Sequence, residues 1–285
     1  MRRVSTGLVL VALFILVAAS PSSWGQELPR GQLLRRELAG ENYYLYVPAK
    51  FSPGGQVLVV VHGASRTAEG YARRWLEIVE RENLVLVAPL FARRTFPDYQ
   101  RLNFQEPRAD LHLHAILDEV EQLTGALTQR FYLYGFSGGG QFSHRYALVH
   151  PERLVRIVVG APGWWCLPDA TLDYPLGIKK SAMVPPEVEF RVDELLQVPL
   201  AVVVGEHDTE RGRSLRQETT IDRLQGRNRV ERGQRWFALM RQLAEQKKIP
   251  YRFELHIVAG AGHSGSHPAI VARAAQFLFP TSSTK

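Results

Sequence analysis

The sequence predicts an α/β protein in which helices flank a mostly parallel central sheet. Short uninterrupted apolar runs recur along the chain, and such runs are typical of strands that are covered on both faces. Segments with helical periodicity separate these runs, and this alternation favours a parallel sheet. The chain has 285 residues, of which 45% are hydrophobic and 22% charged, enough for one large domain with a sizeable core.

The elements follow one another in a regular order. The predicted strands share aliphatic or aromatic runs and lie at residues 43–47, 56–61, 84–88, 130–134, 155–159, 200–204 and 251–258. The predicted helices share apolar residues spaced three or four apart and lie at residues 68–82, 109–123, 141–148, 234–246 and 268–279.

Three stretches show neither pattern, namely residues 91–108, 163–197 and 209–232. All three follow predicted strands. In open α/β sheets, the loops at the carboxyl ends of the strands build the binding crevice. We therefore expect three loop insertions within a single domain that spans residues 26–285, each of them able to line a crevice. Plain surface decoration is the alternative for each.

The N-terminus has the layout of a secretory signal peptide. Two arginines near the start precede an apolar run over residues 7–19, and small residues follow, Ser23 and Gly25 among them. The run is too short to span a bilayer comfortably. The sequence therefore predicts a signal peptide over residues 1–25, cleaved before Gln26, and a secreted or periplasmic protein without stable membrane insertion. An uncleaved membrane anchor is the alternative.

Charge and cysteine content exclude several classes of protein. The formal net charge is +7, but the arginines are scattered and no nucleic-acid-binding motif appears, so no nucleic-acid partner is expected. We interpret the positive charge mainly as a feature that keeps the protein soluble. Attraction to an acidic polymer or surface is a lesser alternative. Cys166 is the only cysteine, so no intramolecular disulfide can form. His112 and His114 lack a third ligand nearby, and we expect neither a metal nor a cofactor.

The most informative motif is Gly-Phe-Ser-Gly-Gly over residues 135–139, between a predicted strand and a predicted helix. This strand–turn–helix context is that of a nucleophile elbow, which holds a serine hydroxyl clear of the sheet. Ser137 is therefore the predicted nucleophile. Gly135 and Gly139 are expected because a Cβ at either position would press against neighbouring backbone.

A serine nucleophile needs a histidine base and an acid that orients it. His263 follows the last predicted strand in a glycine-rich loop and is the predicted base, with His267 as its rival. Asp208 lies three residues beyond the glycine that ends the preceding strand and is the predicted acid. Glu206 and Glu210 are the alternatives to Asp208.

An oxyanion hole requires two N–H donors near the developing charge. The amide of Gly138, directly after the nucleophile, is one predicted donor. The other is the amide of Ala64, in the loop that begins with His62 after the strand at 56–61. His62, Trp164 and Trp165 are predicted substrate contacts.

These motifs together resemble the α/β-hydrolase superfamily over nearly the whole chain after the signal peptide. The signal peptide and the Ala-Pro-Gly-Trp-Trp segment at 161–165 are similar to secreted esterases of the polyhydroxybutyrate depolymerase and feruloyl esterase type. Those relatives often carry disulfides, whereas this chain cannot. The segment 225–233 also resembles an insert of unknown role in uncharacterised hydrolases.

The predicted function is that of a secreted serine hydrolase, specifically a carboxylic ester hydrolase that uses a Ser-Asp-His triad and an acyl-enzyme. Its substrate would be a small or polymeric ester. A peptidase or amidase on the same fold is one alternative, and a non-catalytic binding protein of this fold is another. Phe96 and Tyr99 could line an aromatic pocket with the two tryptophans, although core packing explains each of them equally well. The sequence leaves the oligomeric state open.

Overall fold

The computed structural model describes residues 28–102, 104 and 107–280, so the predicted signal peptide lies outside the described residues. The strands are β1 Leu33–Leu38, β2 Glu41–Tyr46, β3 Gln56–Val61, β4 Val85–Pro89, β5 Leu127–Phe136, β6 Leu154–Gly160, β7 Leu200–Gly205 and β8 Phe253–Val258. The helices are α1 Ala68–Arg73, α2 Leu76–Glu82, α3 Ala109–Thr124, α4 Gly138–Val149, α5 Val192–Leu195, α6 Thr219–Gln225, α7 Arg229–Lys247 and α8 Pro268–Leu278. Short 3-10 turns occur at Tyr99–Arg101 and Pro151–Arg153.

The eight strands form one sheet in the order β1-β2-β4-β3-β5-β6-β7-β8. The pairs β1–β2 and β2–β4 are antiparallel, and the remaining pairs are parallel. The predicted fold class, a mostly parallel sheet flanked by helices, is therefore confirmed. All the parallel strands end at the same edge of the sheet, where the loops that follow them meet.

Two hydrophobic clusters, one on each face of the sheet, explain the uninterrupted apolar runs. In β3, Val57 and Val59 belong to the cluster that contains α3, α4 and α7 side chains. Leu58 and Val60 belong to the cluster that contains α1, α2 and α8 side chains. Because successive strand residues face opposite sides, a strand with helices on both faces must be apolar throughout.

Three differences from the predicted elements concern an edge strand and two helices. The edge strand β1 was not predicted, because its Leu-Leu-Arg-Arg-Glu-Leu sequence lacks a clear period of two. The predicted helix at 68–82 is two helices, α1 and α2, with a break before the buried Trp75. Helix α7 begins at Arg229 rather than at 234, because Asn228 caps it there.

The three loop insertions contain short regular segments. A 3-10 turn lies in the first, α5 in the second, and α6 with the first turn of α7 in the third. Over the described part of the chain, no helix combines the length and the apolar character needed to cross a bilayer.

Candidate active site

Ser137 occupies a sharp turn between β5 and α4. Its backbone has φ +57° and ψ −113°, a conformation that is strained for a residue with a Cβ. The turn is compact. A Cβ added to Gly135 would lie 2.3 Å from the Gly139 carbonyl oxygen, and a Cβ added to Gly139 would lie 2.2 Å from the Val61 carbonyl oxygen. Only glycine fits at these two positions. The geometry is that of a nucleophile elbow.

The structure brings Ser137, His263 and Asp208 into one hydrogen-bonded line. The Ser137 hydroxyl lies 3.0 Å from His263 Nε2, and His263 Nδ1 lies 2.6 Å from Asp208 Oδ2. An ionised carboxylate only accepts hydrogen bonds, so Nδ1 carries the proton and Nε2 is free to accept the hydroxyl proton. Asp208 and His263 follow neighbouring strands, β7 and β8, which explains why they meet at the carboxyl edge.

The alternative base and acids, His267, Glu206 and Glu210, are not part of this hydrogen-bonded line in the described structure. His267 precedes α8, and no hydrogen bond joins it to Ser137 or Asp208 in the described structure. Glu206 accepts a hydrogen bond from the Gly260 amide at 3.0 Å and so supports the turn that leads to the His263 loop. Glu210 is exposed.

Arg229 is a residue of this site that the sequence reasoning missed. Its Nη1 donates to Asp208 Oδ1 at 3.2 Å, on the carboxylate oxygen that His263 does not use. The side chain of Arg229 is only 2% exposed, and that of Asp208 is 1% exposed. Burial lowers the pKa of Arg229, and the charge of Asp208 opposes that shift. The carboxylate therefore sits buried between an imidazole and a guanidinium.

The first turn of α7 explains the position of Arg229. Asn228 caps the helix by accepting a hydrogen bond from the Glu231 amide at 2.9 Å, and the Glu231 carboxylate accepts one from the Asn228 side chain at 2.7 Å. Arg229 is thus the first helical residue, and its Nη2 also donates to the Ser214 carbonyl oxygen at 3.0 Å. The Asn-x-x-Glu spacing is a capping signal that could have revealed this helix start.

The amides of Gly138 and Ala64 belong to adjacent backbone segments beside Ser137. An added Cβ on Gly138 would lie 2.9 Å from the Ala64 nitrogen, so the two backbone segments are close. Gly138 begins α4, where backbone N–H groups have no intrahelical acceptor. Neither amide has a hydrogen-bond acceptor within the described ranges. Their placement suits an oxyanion, which helix N-termini also favour electrostatically.

His62 lies beneath this loop rather than in contact with solvent. Its ring is fully buried; Nδ1 donates to the Gly63 carbonyl oxygen at 2.8 Å, and Nε2 accepts from the Phe91 amide at 3.1 Å. Burial is the main cause that lowers the pKa of His62 to about 4, so the ring is neutral near neutral pH. Both ring nitrogens are occupied. The geometry gives His62 a role in shaping the Ala64 loop instead of the predicted substrate contact.

The two predicted tryptophans have different surroundings. Trp165 is fully buried and stacks on Trp236, with ring centroids 4.2 Å apart, so it belongs to the core. The Gln225 side chain hydrogen-bonds both the amide and the carbonyl of Trp165, at 2.7 and 2.9 Å. Trp164 instead lines a cavity of about 260 Å³ beside α4, the elbow helix that follows Ser137. Only Trp164 of this pair borders open space.

Phe96 and Tyr99 are also core residues. Both are at most 1% exposed, and the Tyr99 hydroxyl donates to the His62 carbonyl oxygen at 3.0 Å. No group of three or more His, Cys, Asp or Glu side chains in the described part of the chain is arranged to hold a metal ion.

Fold and site together define the class of protein: the chain has the α/β-hydrolase fold, and the predicted resemblance is confirmed at that level. It is similar to LpqC, a poly(3-hydroxybutyrate) depolymerase from Bordetella parapertussis, with 25% identity and a TM-score of 0.75 over 87% of this chain and 90% of that chain. It is also similar to poly(aspartic acid) hydrolase-1 from Sphingomonas sp. KT-1, with 24% identity and a TM-score of 0.77 over 88% and 99% of the two chains.

A more distant similarity is to FphF, a fluorophosphonate-binding serine hydrolase from Staphylococcus aureus. The identity is 14% and the TM-score 0.56, over 87% of this chain and 97% of that chain. No protein-family profile matches the chain, and no curated protein matches it significantly. The structural neighbours named here are hydrolases, and they share the fold with this chain.

Proposed function

We propose that the protein is a serine hydrolase that cleaves carboxylic esters through an acyl-enzyme. The observation that carries this proposal is the continuous line from Ser137 through His263 to Asp208, with hydrogen bonds of 3.0 and 2.6 Å. A nucleophile, a base and an orienting acid in this geometry are the requirements for nucleophilic catalysis by serine.

Each group has a defined task in the proposed reaction. Ser137 Oγ attacks the ester carbonyl carbon while His263 Nε2 accepts its proton, and Asp208 stabilises the imidazolium that forms. The amides of Gly138 and Ala64 donate to the oxyanion. The imidazolium then protonates the leaving alcohol, which departs and leaves the acyl group on Ser137. A water molecule, deprotonated by His263, attacks the acyl carbon and releases the carboxylic acid.

The similarity to LpqC favours an ester as the substrate. LpqC is named as a poly(3-hydroxybutyrate) depolymerase, and poly(3-hydroxybutyrate) is a polyester. Comparing hydrolysis of p-nitrophenyl esters with that of the matching p-nitroanilides separates an esterase from an amidase. We expect turnover of the esters at a much higher kcat/KM than that of the anilides.

Replacement of the nucleophile tests the whole assignment. Ser137→Ala should lower kcat for p-nitrophenyl butyrate by about 10⁴-fold or more, and it should abolish labelling by a fluorophosphonate probe. Ser52→Ala, at an exposed serine in the loop before β3, is the matched control and should retain both activity and labelling. Equal labelling of wild type and Ser137→Ala would refute the role of Ser137. A wild-type protein that neither labels nor turns over any ester would indicate a binding protein.

We also propose that the protein is exported and that residues 1–25 are removed. The charged start and the apolar run over 7–19 support this proposal. Expression of the full chain in a bacterial host, followed by N-terminal sequencing of the protein released from the periplasm, tests it. A mature protein that begins at Gln26 is expected, and retention of Met1 in a membrane fraction would contradict it.

A further inference from the structure

The cavity beside the elbow helix is built from all three loop insertions. It has a volume of about 260 Å³. The 91–108 stretch contributes Gln100 and Arg101 to its walls, and the elbow helix α4 contributes Gln141. The 163–197 stretch contributes Gly163 and Trp164. The 209–232 stretch contributes Arg213, Ser214, Leu215 and Arg216. Loops that converge on one space at the carboxyl edge of a parallel sheet are the usual builders of a substrate crevice.

On two sides, wall residues of the cavity adjoin residues that flank the proposed reacting groups. An added Cβ on Gly138 would lie 2.8 Å from Gln100 Nε2, so this wall residue stands beside the proposed oxyanion donor. On the other side, Ser214 accepts hydrogen bonds from Arg229, the residue that holds Asp208. The cavity therefore lies next to residues that flank Ser137 and Asp208.

The walls of this cavity carry positive charge. Arg101, Arg213 and Arg216 line it, and none of its wall residues is acidic. The fully buried Arg145 lies behind Trp164. The guanidinium carbons of Arg145 and Arg216 lie 4.5 and 4.7 Å from the centroid of the Trp164 ring. Stacking on the ring holds both guanidiniums close to the space that Trp164 borders.

Within the part of the chain that the structure describes, carboxylates pair with only some of these guanidiniums. Asp98 pairs with Arg101, and Glu218 pairs with Arg216 at 2.6 Å. Arg213 forms no ion pair with any residue that the structure describes. Among the described residues, two of these four guanidiniums, those of Arg101 and Arg216, are thus paired with a carboxylate.

Arg145 is the most unusual of these cations. Its Nη1 donates to the backbone carbonyls of Gln100 and Gln141 at 3.4 and 3.1 Å, its Nη2 donates to that of Pro175 at 3.3 Å, and its Nε has no partner. No carboxylate among the described residues pairs with it. A buried cation without a counter-charge costs free energy, and a nearby anion relieves that cost. The low-dielectric surroundings also extend its field into the cavity.

We propose that this cavity binds a carboxylate group of the substrate, so that the preferred substrates are esters that carry a negative charge close to the scissile bond. The proposal rests on the proposed ester hydrolase function and names its substrate class. Arg213 and Arg216 are the side chains best placed to pair with the anion, because both are exposed and line the cavity. Arginine guanidiniums suit this task since they bind carboxylates through two parallel hydrogen bonds.

Two matched pairs of esters test the proposal. One pair is p-nitrophenyl hydrogen adipate and p-nitrophenyl hexanoate, which have acyl chains of the same length and differ by the terminal carboxylate. The other pair is p-acetoxybenzoate and phenyl acetate, which differ by a carboxylate on the alcohol side. We expect the wild-type kcat/KM to favour the anionic ester by about tenfold in at least one pair. Added sodium chloride should reduce this preference.

Variants then connect the preference to the cavity. In Arg213→Gln combined with Arg216→Gln, the ratio of kcat/KM for the anionic and neutral esters should fall by about tenfold. Arg241→Gln, at an exposed arginine on α7 that pairs with Glu245, is the matched control and should keep the wild-type ratio. A wild type that hydrolyses both pairs without a preference would overturn the carboxylate site and leave the hydrolase function intact. An undiminished preference in the double variant would also overturn it.

Discussion

The ion pair between Arg229 and Asp208 makes the sharpest prediction about this molecule. We expect Arg229→Met to lower both the free energy of unfolding and the rate of ester hydrolysis. Methionine keeps much of the side-chain volume but removes the charge, so the Asp208 carboxylate stays buried without its guanidinium. Arg229 is a positioning residue: it contacts Asp208 and Ser214 but not the reacting atoms.

The magnitude follows from the contacts. Removing one partner of a buried ion pair typically costs about 3–5 kcal/mol. Asp208 keeps its 2.6 Å hydrogen bond from His263, which favours the lower end of that range. The lost hydrogen bonds to Ser214 add about 1 kcal/mol. We therefore expect a loss of about 3–4 kcal/mol in stability. Displacement of the carboxylate that orients His263 should lower kcat by about tenfold or more.

Urea unfolding and steady-state kinetics with p-nitrophenyl butyrate measure these two effects. Arg241→Met is the matched control, because the Arg241–Glu245 pair is exposed and such pairs contribute about 0.3–0.5 kcal/mol. A double-mutant cycle with Asp208→Asn isolates the pair. The double variant should be more stable than the sum of the single changes predicts, by about 2 kcal/mol.

Two results would refute this reasoning. Equal stabilities of Arg229→Met and Arg241→Met would show that the buried pair contributes nothing beyond an exposed one. A coupling energy near zero in the cycle would show that Arg229 and Asp208 act independently. In either case, the account of how Asp208 is held would be wrong even if Asp208 itself were essential.

The remaining predictions concern the elbow and the core. Ser137→Gly should raise the free energy of unfolding by about 1 kcal/mol relative to Ser137→Ala, because glycine relieves the strain at φ +57°; calorimetry checks this, and equal stabilities would contradict it. Gly139→Ala should cost about 3 kcal/mol or prevent folding, since its Cβ would meet the Val61 carbonyl, whereas Gly212→Ala, with open space around it, should be nearly neutral in urea unfolding. Asp110 is buried, which by itself would raise its pKa, but hydrogen bonds from His150 and Arg108 prevail and lower the pKa to about 2. Its stabilisation is therefore present above the unfolded pKa and is lost as pH falls through about 2, so the roughly 2 kcal/mol cost of Asp110→Asn at pH 7 should shrink progressively below about pH 4.

The sequence alone was enough to predict the class of fold and the three residues Ser137, His263 and Asp208 of the candidate site. The continuous apolar runs predicted buried parallel strands because a strand covered on both faces has no polar side. Gly-Phe-Ser-Gly-Gly predicted the elbow because only glycine fits where backbone segments approach so closely. The placement of Asp208 and His263 after successive strands predicted their meeting, since parallel strands end at one edge.

Only the tertiary structure decided which residues surround Ser137, His263 and Asp208. Trp164 and Trp165 are neighbours in sequence, yet one borders a cavity and the other packs in the core, because their partners are distant in the chain. In the sequence, Arg229 is one of several charged residues in a polar insert. The fold places it against Asp208, 21 positions away. Local patterns record backbone conformation and burial periodicity, whereas a contact between loops depends on how the whole sheet brings them together. The cationic cavity, assembled from three insertions, is a property of that assembly.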